Sequence, residues 1–460
     1  MGLAVEGGGM DYQSTASPDE EEGGESGKKV GVKHARSLGF SALTALLFFS
    51  VAGGPLGTEG LVRFAGPLYS VIGLAIIPFV WSFPVGLVTA ELSTAFPKDG
   101  GYVLWVDAAF GRFPGFLMGW VSWANGVVDS ALYPALFIAL LEDSTGMQCP
   151  ASLRLAAILG INVALTLPNL FGLDVVGSAS VAFAGIVLMP VAILVLVCLP
   201  NISPGNWLDT PAVIDWVGFL NLVLWNTNGW DACSTCGGEV AEPTTTYPRA
   251  MMAAQGLVIV PYMIMILAST GVDPRLEMYH NGWYNALAVQ QGGEVLGALF
   301  AVGTIAGVMG MFVSNMTCYS YQLSGMAEEG MLPSALAIRL PKFDTPVVSI
   351  SVCFLCVSLL SQFSFREILV ADNLLYSLCL LLELAAMVKL RVSRPNMTRP
   401  FRIPTSTAGV VCLVACPSAL CLFIMYSAGA QVWGLAVCVV LAGCGVFFIN
   451  ERLVPAYRAV

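Results

Sequence analysis

The stretch Val51-Ala-Gly-Gly-Pro-Leu-Gly57 interrupts the first long apolar segment of the chain, which runs from residue 38 to residue 65. A regular helix does not tolerate three glycines and a proline within seven residues. A second stretch, Asn226-Thr-Asn-Gly229, interrupts the apolar segment 212–241 in the same way. Breaks at membrane depth must be buried in protein or line a cavity, because lipid cannot satisfy the freed backbone groups. The two breaks therefore predict an enclosed site, although simple helix kinks are the alternative interpretation.

The composition places these segments in a bilayer. Apolar residues make up 57% of the 460 residues and charged residues 11%, whereas soluble domains contain roughly 25% charged residues. Eleven of the fifty Lys, Arg, Asp and Glu residues lie in residues 1–36 alone. The remaining charges are too few to cover the surface of a soluble globule, and the sequence predicts an all-α integral membrane protein.

Twelve apolar segments have about the length of 20 residues that a spanning helix needs. They are 38–65, 67–94, 112–141, 151–172, 174–200, 212–241, 248–271, 292–326, 346–363, 366–391, 405–428 and 430–450. We expect residues 1–36 to form a disordered acidic tail. The interrupted first and sixth segments stand five spans apart, which is typical of inverted repeats. The predicted units are helices 1–5 in 37–200, helices 6–10 in 212–391, and two further helices in 405–450.

The distribution of Lys and Arg predicts the orientation. With the N-terminus in the cytosol and twelve alternating spans, sixteen bases fall on the cytosolic side and four on the other, namely Arg63, Arg154, Arg275 and Arg366. Such a bias follows the positive-inside rule. We therefore expect both termini in the cytosol. We separately expect a multi-pass protein of the plasma membrane.

Away from the helix ends, the charged residues within the predicted spans are negative. Asp129, Asp231 and Glu383 lie inside spans, and Glu59, Glu91, Glu239 and Asp372 lie nearer the edges. No Lys or Arg lies deep in a span, and a charge at the centre of a bilayer is costly without a partner. The missing positive charge could come from the substrate, a metal cation or protons. Alternatively, these carboxyls are neutral hydrogen-bonding groups at helix contacts.

Several of the acids share helix faces with polar and aromatic residues. Asn125, Asp129 and Tyr133 are spaced i, i+4, i+8, and Asp372, Tyr376 and Glu383 share another face, while Trp230 and Asp231 follow the second break. Carboxylates could hold ammonium groups there, with cation–π contacts from the rings. The predicted substrate-binding residues are Gly53, Gly54, Gly57, Asp129, Tyr133, Asn226, Asn228, Trp230, Asp231, Tyr376 and Glu383.

The first break also bears on the charge of the substrate. Backbone N–H groups at the start of a half-helix suit a substrate carboxylate. Pro55 removes one such donor, and Glu59 places an acid two residues after Gly57. This arrangement disfavours ordinary zwitterionic amino acids.

Other residues suggest ion coupling, and several classes of function are disfavoured. Glu59, Glu91, Ser314 and Thr317 are candidates to bind a coupling ion, with helix packing as the alternative for the hydroxyls. We expect no metal centre and no cofactor, and with only two histidines no catalytic constellation that would indicate an enzyme. No basic region indicates nucleic-acid binding. Gly303-x-x-x-Gly307 predicts a close helix contact in the eighth segment.

Two motifs resemble hallmarks of the amino acid–polyamine–organocation (APC) superfamily. They are Glu91-Leu-Ser-Thr-Ala-Phe-Pro-Lys-Asp-Gly-Gly-Tyr102 and Arg399-Pro-Phe-Arg-Ile-Pro404. Residues 51–57, Asn125-Gly-Val-Val-Asp-Ser-Ala-Leu-Tyr-Pro134, Trp230-Asp231 with Gly238-Glu-Val240, and Leu381-Leu-Glu-Leu-Ala-Ala-Met-Val-Lys-Leu-Arg391 are similar to the polyamine uptake transporters of plants and protozoa. The resemblance covers roughly residues 38–450.

The resemblance implies a fold and a function. It implies a LeuT-type bundle with broken helices 1 and 6, and import of putrescine, spermidine or related organic cations, often coupled to protons. The chain departs from the Gly-Ser-Gly pattern of the superfamily's amino acid carriers, and the fifth segment lacks the lysine of some relatives between Val175 and Cys198. A transporter or exchanger of cationic or neutral L-amino acids is the alternative function. A non-transporting receptor or accessory subunit is a third, which the two breaks disfavour.

Overall fold

The computed structural model describes residues 36–147, 149–361 and 365–457, without the side chains of 139, 143–145, 151, 365–371 and 451–457. The predicted tail, 1–36, lies outside the described residues except for Arg36. The described part is almost entirely helical and contains no β-strand, only three isolated bridges. Helices satisfy their own backbone groups, as a membrane requires.

Fifteen α-helices are distinguished within the described residues. Their bounds are α1 Phe40–Val51, α2 Glu59–Ile77, α3 Phe83–Ala95, α4 Tyr102–Phe110, α5 Arg112–Ser130, α6 Leu132–Thr145, α7 Ala151–Leu170, α8 Leu173–Cys198, α9 Trp216–Trp225, α10 Pro243–Val272, α11 Trp283–Glu328, α12 Val347–Leu360, α13 Phe365–Ser393, α14 Thr407–Ser427 and α15 Ala430–Tyr457. A π-helical turn, Pro78–Ser82, joins α2 to α3.

Length and hydropathy identify the helices that can cross a membrane. Nine helical stretches within the described residues are long and apolar enough to cross a membrane. Three apolar helices are shorter, namely Phe40–Val51, Trp216–Trp225 and Val347–Leu360. Each of the twelve apolar segments predicted from the sequence overlaps one or more of the described helices. The prediction of an all-α, multi-pass membrane protein is confirmed at this level.

Two glycines divide helices that are otherwise continuous. Gly66 has φ 79° directly before Pro67, and it separates the start of α2 from the helix that runs on toward α3. Gly293 has φ 73° within α11, and it separates a short first part from the long apolar part. Both conformations lie in the left-handed region, which favours glycine because it has no Cβ.

The broken first segment lies at the centre of the bundle. Helix α1 packs against α10, α8 and α11, and α11 in turn packs against α8, α6 and α5. The predicted close contact at Gly303 and Gly307 is present. A Cβ on Gly307 would lie 2.1 Å from the carbonyl oxygen of Gly53, and one on Gly303 would lie 3.1 Å from that of Ile186. Small residues thus let the break approach α11 directly.

The sixth segment differs from a regular broken helix in its second half. After the break, the chain forms two short 3-10 turns, Ala232–Thr235 and Gly237–Glu239, and the next α-helix begins only at Pro243. The N-terminus of α4 packs tightly against the first of these turns. Gly101 lies so close to Ser234 that a Cβ on Gly101 would overlap Ser234 Oγ. Thr235 Oγ1 donates to the carbonyl of Ala232 at 2.8 Å. This packing and side-chain bonding favour the tight turns over a continuous helix.

Candidate functional site

The two breaks contact each other across the bundle. Gly57 has φ 89°, and a Cβ there would lie 3.3 Å from Asn226 Oδ1. Asn226 Nδ2 points toward the Gly57 carbonyl at 3.5 Å and donates to the carbonyl of Leu222 at 2.9 Å. Trp81 Nε1 donates to the freed carbonyl of Thr227 at 2.9 Å. The irregular backbone is therefore satisfied by protein groups rather than exposed to lipid.

A small cavity of about 40 Å³ lies between the breaks, with room for a few water molecules. We call it the central cavity. Five predicted substrate-binding residues line it, namely Asp129, Tyr133, Asn228, Asp231 and Tyr376. Its remaining lining residues are Ser50, Val51, Tyr102, Ser122, Asn125, Trp225, Gly229, Ala232, Met311, Asn315, Tyr319, Asp372 and Cys379. Residues distant in sequence thus converge on one polar space.

One side of the central cavity is formed around Asp129. Tyr133 Oη donates to Asp129 Oδ2 at 2.7 Å, and Asn315 Nδ2 donates to the same oxygen at 2.6 Å. Asp372 is 4% exposed and lies near enough for its charge to interact with Asp129. Two carboxyl groups therefore share this side of the cavity.

Another side of the central cavity is formed around Asp231. Tyr376 Oη donates to Asp231 Oδ1 at 2.7 Å and accepts the freed backbone N–H of Gly229 at 3.0 Å. Glu383 is 1% exposed, and its carboxyl group lies close enough to that of Asp231 for a charge interaction and a side-chain hydrogen bond between them. Its Oε1 atom is buried and has no hydrogen-bond partner among the described residues. A buried polar atom without a partner is unusual, and this one is able to accept a hydrogen bond from a bound donor.

A second, larger cavity of about 780 Å³ adjoins the central one; we call it the wide cavity. Gly53, Gly57 and Asn226, three predicted substrate-binding residues, line it. It reaches the surface, since Arg63, His280 and Asn281 among its lining residues are exposed. Four residues line both cavities and separate them, namely Val51, Tyr133, Trp225 and Met311.

Gly54 and Trp230, although predicted as substrate-binding, line neither cavity. The Trp230 side chain is fully buried, and Gly54 packs against Val187. Glu383 does not line the central cavity directly and lies behind it, next to Asp231. Sequence reasoning missed Trp225, Met311 and Tyr319. Only the position of Trp225, directly before the second break, could have indicated it.

Two of the seven acids identified from the sequence have arginine partners. Glu91 is fully buried and accepts from Arg391 at 2.7 and 2.5 Å, and Arg399 lies 3.1 Å away. Its Oε2 also accepts the backbone N–H of Ile403 at 2.8 Å. The two motifs that resemble the superfamily therefore bind to each other, and Glu91 joins α3 to the end of α13.

Arg339 is the centre of the second ion-pair group, which we call the Arg339 cluster. Its guanidinium donates to Asp99 Oδ2 and Glu239 Oε1, each at 2.6 Å, and to Glu328 Oε1 at 3.2 Å. Burial, with the negative charge of Glu239, raises the pKa of Asp99 to about 8 although Arg339 opposes the shift. The cluster joins the loop after α3, the end of the sixth segment and the end of α11.

The remaining five acids, Glu59, Asp129, Asp231, Asp372 and Glu383, form no salt bridge within the described part of the chain. All five are buried; Asp129, Asp231 and Asp372 line the central cavity, and Glu383 lies behind it next to Asp231. The hydroxyls proposed for ion coupling are engaged by protein groups. Ser314 donates to the Leu46 carbonyl at 3.0 Å, and Thr317 donates to Asn169 Oδ1 at 2.5 Å.

Comparison with known proteins decides the family. Residues 38–448 match the family model described as amino acid permease, which covers the helical part of the chain. The chain belongs to the amino acid permease family of the APC superfamily. The resemblance noted from the two motifs is thereby confirmed, and the family consists of membrane transporters rather than enzymes.

Relatives within this family carry more specific names. The chain is 41% identical over 388 residues to "Polyamine transporter PUT1" of Oryza sativa subsp. japonica, covering 84% of this chain and 73% of the relative. It is 39% identical over 393 residues to "Polyamine transporter RMV1" of Arabidopsis thaliana, covering 85% and 80%. It is 26% identical over 448 residues to "Asc-type amino acid transporter 1" of Mus musculus, covering 90% and 81%. Named polyamine transporters are thus more similar to the chain than the named amino acid transporter.

Proposed function

We propose that this permease imports polyamines, such as putrescine or spermidine, or related organic cations, by alternating access. The observation that carries the proposal is the excess of buried acids around the central cavity. Asp129, Asp231 and Asp372 line it and Glu383 lies behind Asp231, and within the described residues none of these four carboxyl groups forms a salt bridge with an arginine or lysine. An ammonium group would supply the missing positive charge through charge-assisted hydrogen bonds. The identity of about 40% to named polyamine transporters supports the same substrate class.

We further propose twelve membrane spans arranged as two inverted five-helix repeats and two additional helices. Nine long and three shorter apolar helices supply that number. Both breaks adjoin the central cavity, which is the geometry expected where two inverted repeats enclose a site. The bias of Lys and Arg supports cytosolic termini, and we propose the plasma membrane as the location.

The proposed orientation gives each cavity a role. The wide cavity would face the outside, and the Arg339 cluster would close the cytosolic side. An amine would pass Tyr133 and Trp225, which line both cavities, and reach the acids beyond. The central cavity must widen to hold a diamine along its length, since its volume is about 40 Å³. Separation of the Arg339 cluster would then release the substrate into the cytosol.

Uptake into proteoliposomes tests the proposed substrate class. We expect labelled putrescine and spermidine to accumulate and labelled arginine and leucine to remain outside. The alternative, an amino acid transporter, is favoured only by the more distant mouse relative. Saturable uptake of arginine or leucine, without uptake of putrescine, would replace the proposal with this alternative.

Putrescine uptake is expected to be driven by an inside-negative membrane potential. Both amino groups are protonated at neutral pH, and each charge gains about 2.3 kcal/mol per 100 mV. A dication that crosses without a compensating ion gains about twice this amount. At 100 mV this corresponds to a roughly thousandfold accumulation at equilibrium. Collapsing the potential with valinomycin and high potassium should therefore slow the initial rate. An unchanged rate would indicate electroneutral exchange instead.

Opening of the cytosolic side is expected to become easier as the pH rises. The pKa of Asp99 is about 8 in the closed cluster, whereas an exposed Asp titrates near pH 4. Protonation of Asp99 therefore stabilises the closed state, and this stabilisation is lost as the pH rises through about 8. Cys236, which is 2% exposed and pairs with Asp99 in an isolated bridge, reports the opening.

The measurement is the rate at which a maleimide modifies Cys236 from the cytosolic side between pH 7 and pH 9. Asp99→Asn is the matched control, because the amide mimics the protonated acid and does not titrate. Thiol chemistry raises the rate in both proteins, and we expect a further increase only with Asp99 present. Identical pH profiles would contradict the assignment of Asp99 to this equilibrium.

A further inference from the structure

Glu59 occupies an unusual position at the first break. It is the first residue of α2, only 1% of its surface is exposed, and Gly57 N–H donates to its Oε2 at 2.8 Å. The start of a helix presents free backbone N–H groups and a partial positive charge, and it commonly binds anions. Here the anion is a side chain of the protein itself.

A second helix begins at the same carboxylate. Helix α11 starts at Trp283, and the backbone N–H groups of Gly282 and Tyr284 lie close enough to Glu59 to interact with it. The hydroxyls of Tyr284 and Thr58 are 3.0 Å apart and hold the two helix starts together. The backbone thus provides donors from two directions, as a site for a carboxylate would.

The site lies beside the proposed path of the substrate. Gly57 lines the wide cavity, and Glu59 lines a narrow cavity of about 30 Å³ that shares Gly53, Leu56 and Gly282 with the wide cavity. In transporters with broken helices, the N-termini of half-helices bind anionic groups of the substrate. In this chain Pro55 lacks an N–H, and the donor of Gly57 is already used by Glu59.

We propose that Glu59 is an internal substitute for a substrate carboxylate and that it makes the permease select amines without a carboxylate. The inference rests on the proposed polyamine transport and adds a residue that determines specificity. An amino acid would have to displace a buried carboxylate from its donors or place its own carboxylate beside it. A polyamine has no carboxylate and leaves Glu59 in place.

Putrescine and ornithine form a matched pair for the test, because ornithine is putrescine with a carboxylate on a terminal carbon. Each is used to compete against labelled putrescine in proteoliposomes containing the full-length protein. In Glu59→Ala, which frees the donor of Gly57, we expect ornithine to compete at least tenfold better relative to putrescine. In Glu59→Gln the amide oxygen still accepts from Gly57, and we expect a smaller increase. Asp209→Asn, which removes an exposed acid, should change neither the competition by ornithine nor that by putrescine.

Ornithine methyl ester tests the inference in the unmodified protein, should the variants fail to fold. The ester lacks the negative charge, and we expect it to compete far better than ornithine. Equal competition by ornithine and its ester, or an unchanged ornithine-to-putrescine ratio in a folded Glu59→Ala protein, would overturn the role of Glu59. Absence of putrescine uptake by the unmodified protein would instead overturn the proposed function.

Discussion

Replacing Asp231 by asparagine is expected to reduce putrescine uptake about 10- to 150-fold, because a hydrogen bond to a charged group contributes about 1.5–3 kcal/mol. Asp231 lines the central cavity and follows the second break directly. Its carboxylate would bind one ammonium group of the substrate. We expect the loss in the initial rate of uptake by proteoliposomes.

The same substitution is expected to leave folding nearly unchanged. Asparagine keeps an oxygen that can accept from Tyr376 Oη, now at 2.7 Å from Asp231 Oδ1, and its amide group can replace the side-chain hydrogen bond between Asp231 and Glu383. Gel filtration and thermal melting in detergent check the folded state. Asp209→Asn, at an exposed position, is the control for loss of one acid. A folded Asp231→Asn protein with normal putrescine uptake would show that Asp231 does not bind the substrate.

Removal of the carboxylate of Asp129 or Glu383 is expected to weaken the binding of a diamine much more than the binding of a monoamine of similar length. Asp129 lines the central cavity with Tyr133 and Asn315, whereas Glu383 lies behind another side of it, next to Asp231. A diamine has a charge at each end and would use both sides. Butylamine has one charge and can keep whichever acid remains. The unpartnered Oε1 of Glu383 is the position where an ammonium donor would be gained.

Competition against labelled putrescine measures this difference in Asp129→Asn and Glu383→Gln. We expect the inhibition constant of putrescine to rise at least tenfold in each variant, equivalent to about 1.4 kcal/mol, and that of butylamine to rise less. The alternative is that one of the carboxyls is protonated and serves helix packing or proton transfer. An equal loss for both amines would contradict the binding of the two ammonium groups of a diamine by Asp129 and Glu383.

Much of the fold follows from patterns within short stretches of sequence. Long apolar segments predict membrane helices because the bilayer excludes polar surface, and every one of those segments overlaps at least one described helix. The irregular backbone at 52–58 follows from its three glycines and Pro55. The shared face of Asp129 and Tyr133 follows from helical periodicity, and their hydrogen bond of 2.7 Å agrees with it.

Periodicity could not reveal which distant groups meet. Glu91 and Arg391 are 300 positions apart, and Arg339 lies in a loop about 100 positions from Glu239. Charges that appeared unpaired in the sequence acquire partners only when the loops fold back over the bundle. The same limit applied to Met311 and Tyr319, which line the central cavity from α11, because nothing in their local sequence marks the face that turns inward.

By itself, then, the sequence determined the membrane environment, the helical class, the two breaks and the negative character of the interior, since each depends on residue type and local spacing. The tertiary structure decided which acids remain without a base. It paired Glu91 and Glu239 with arginines, and it placed Asp129, Asp231, Asp372 and Glu383 around one cavity. It also brought the starts of α2 and α11 to Glu59. Whether an acid forms an ion pair with a base depends on distances of a few ångströms, and only the packing of the helices sets those distances.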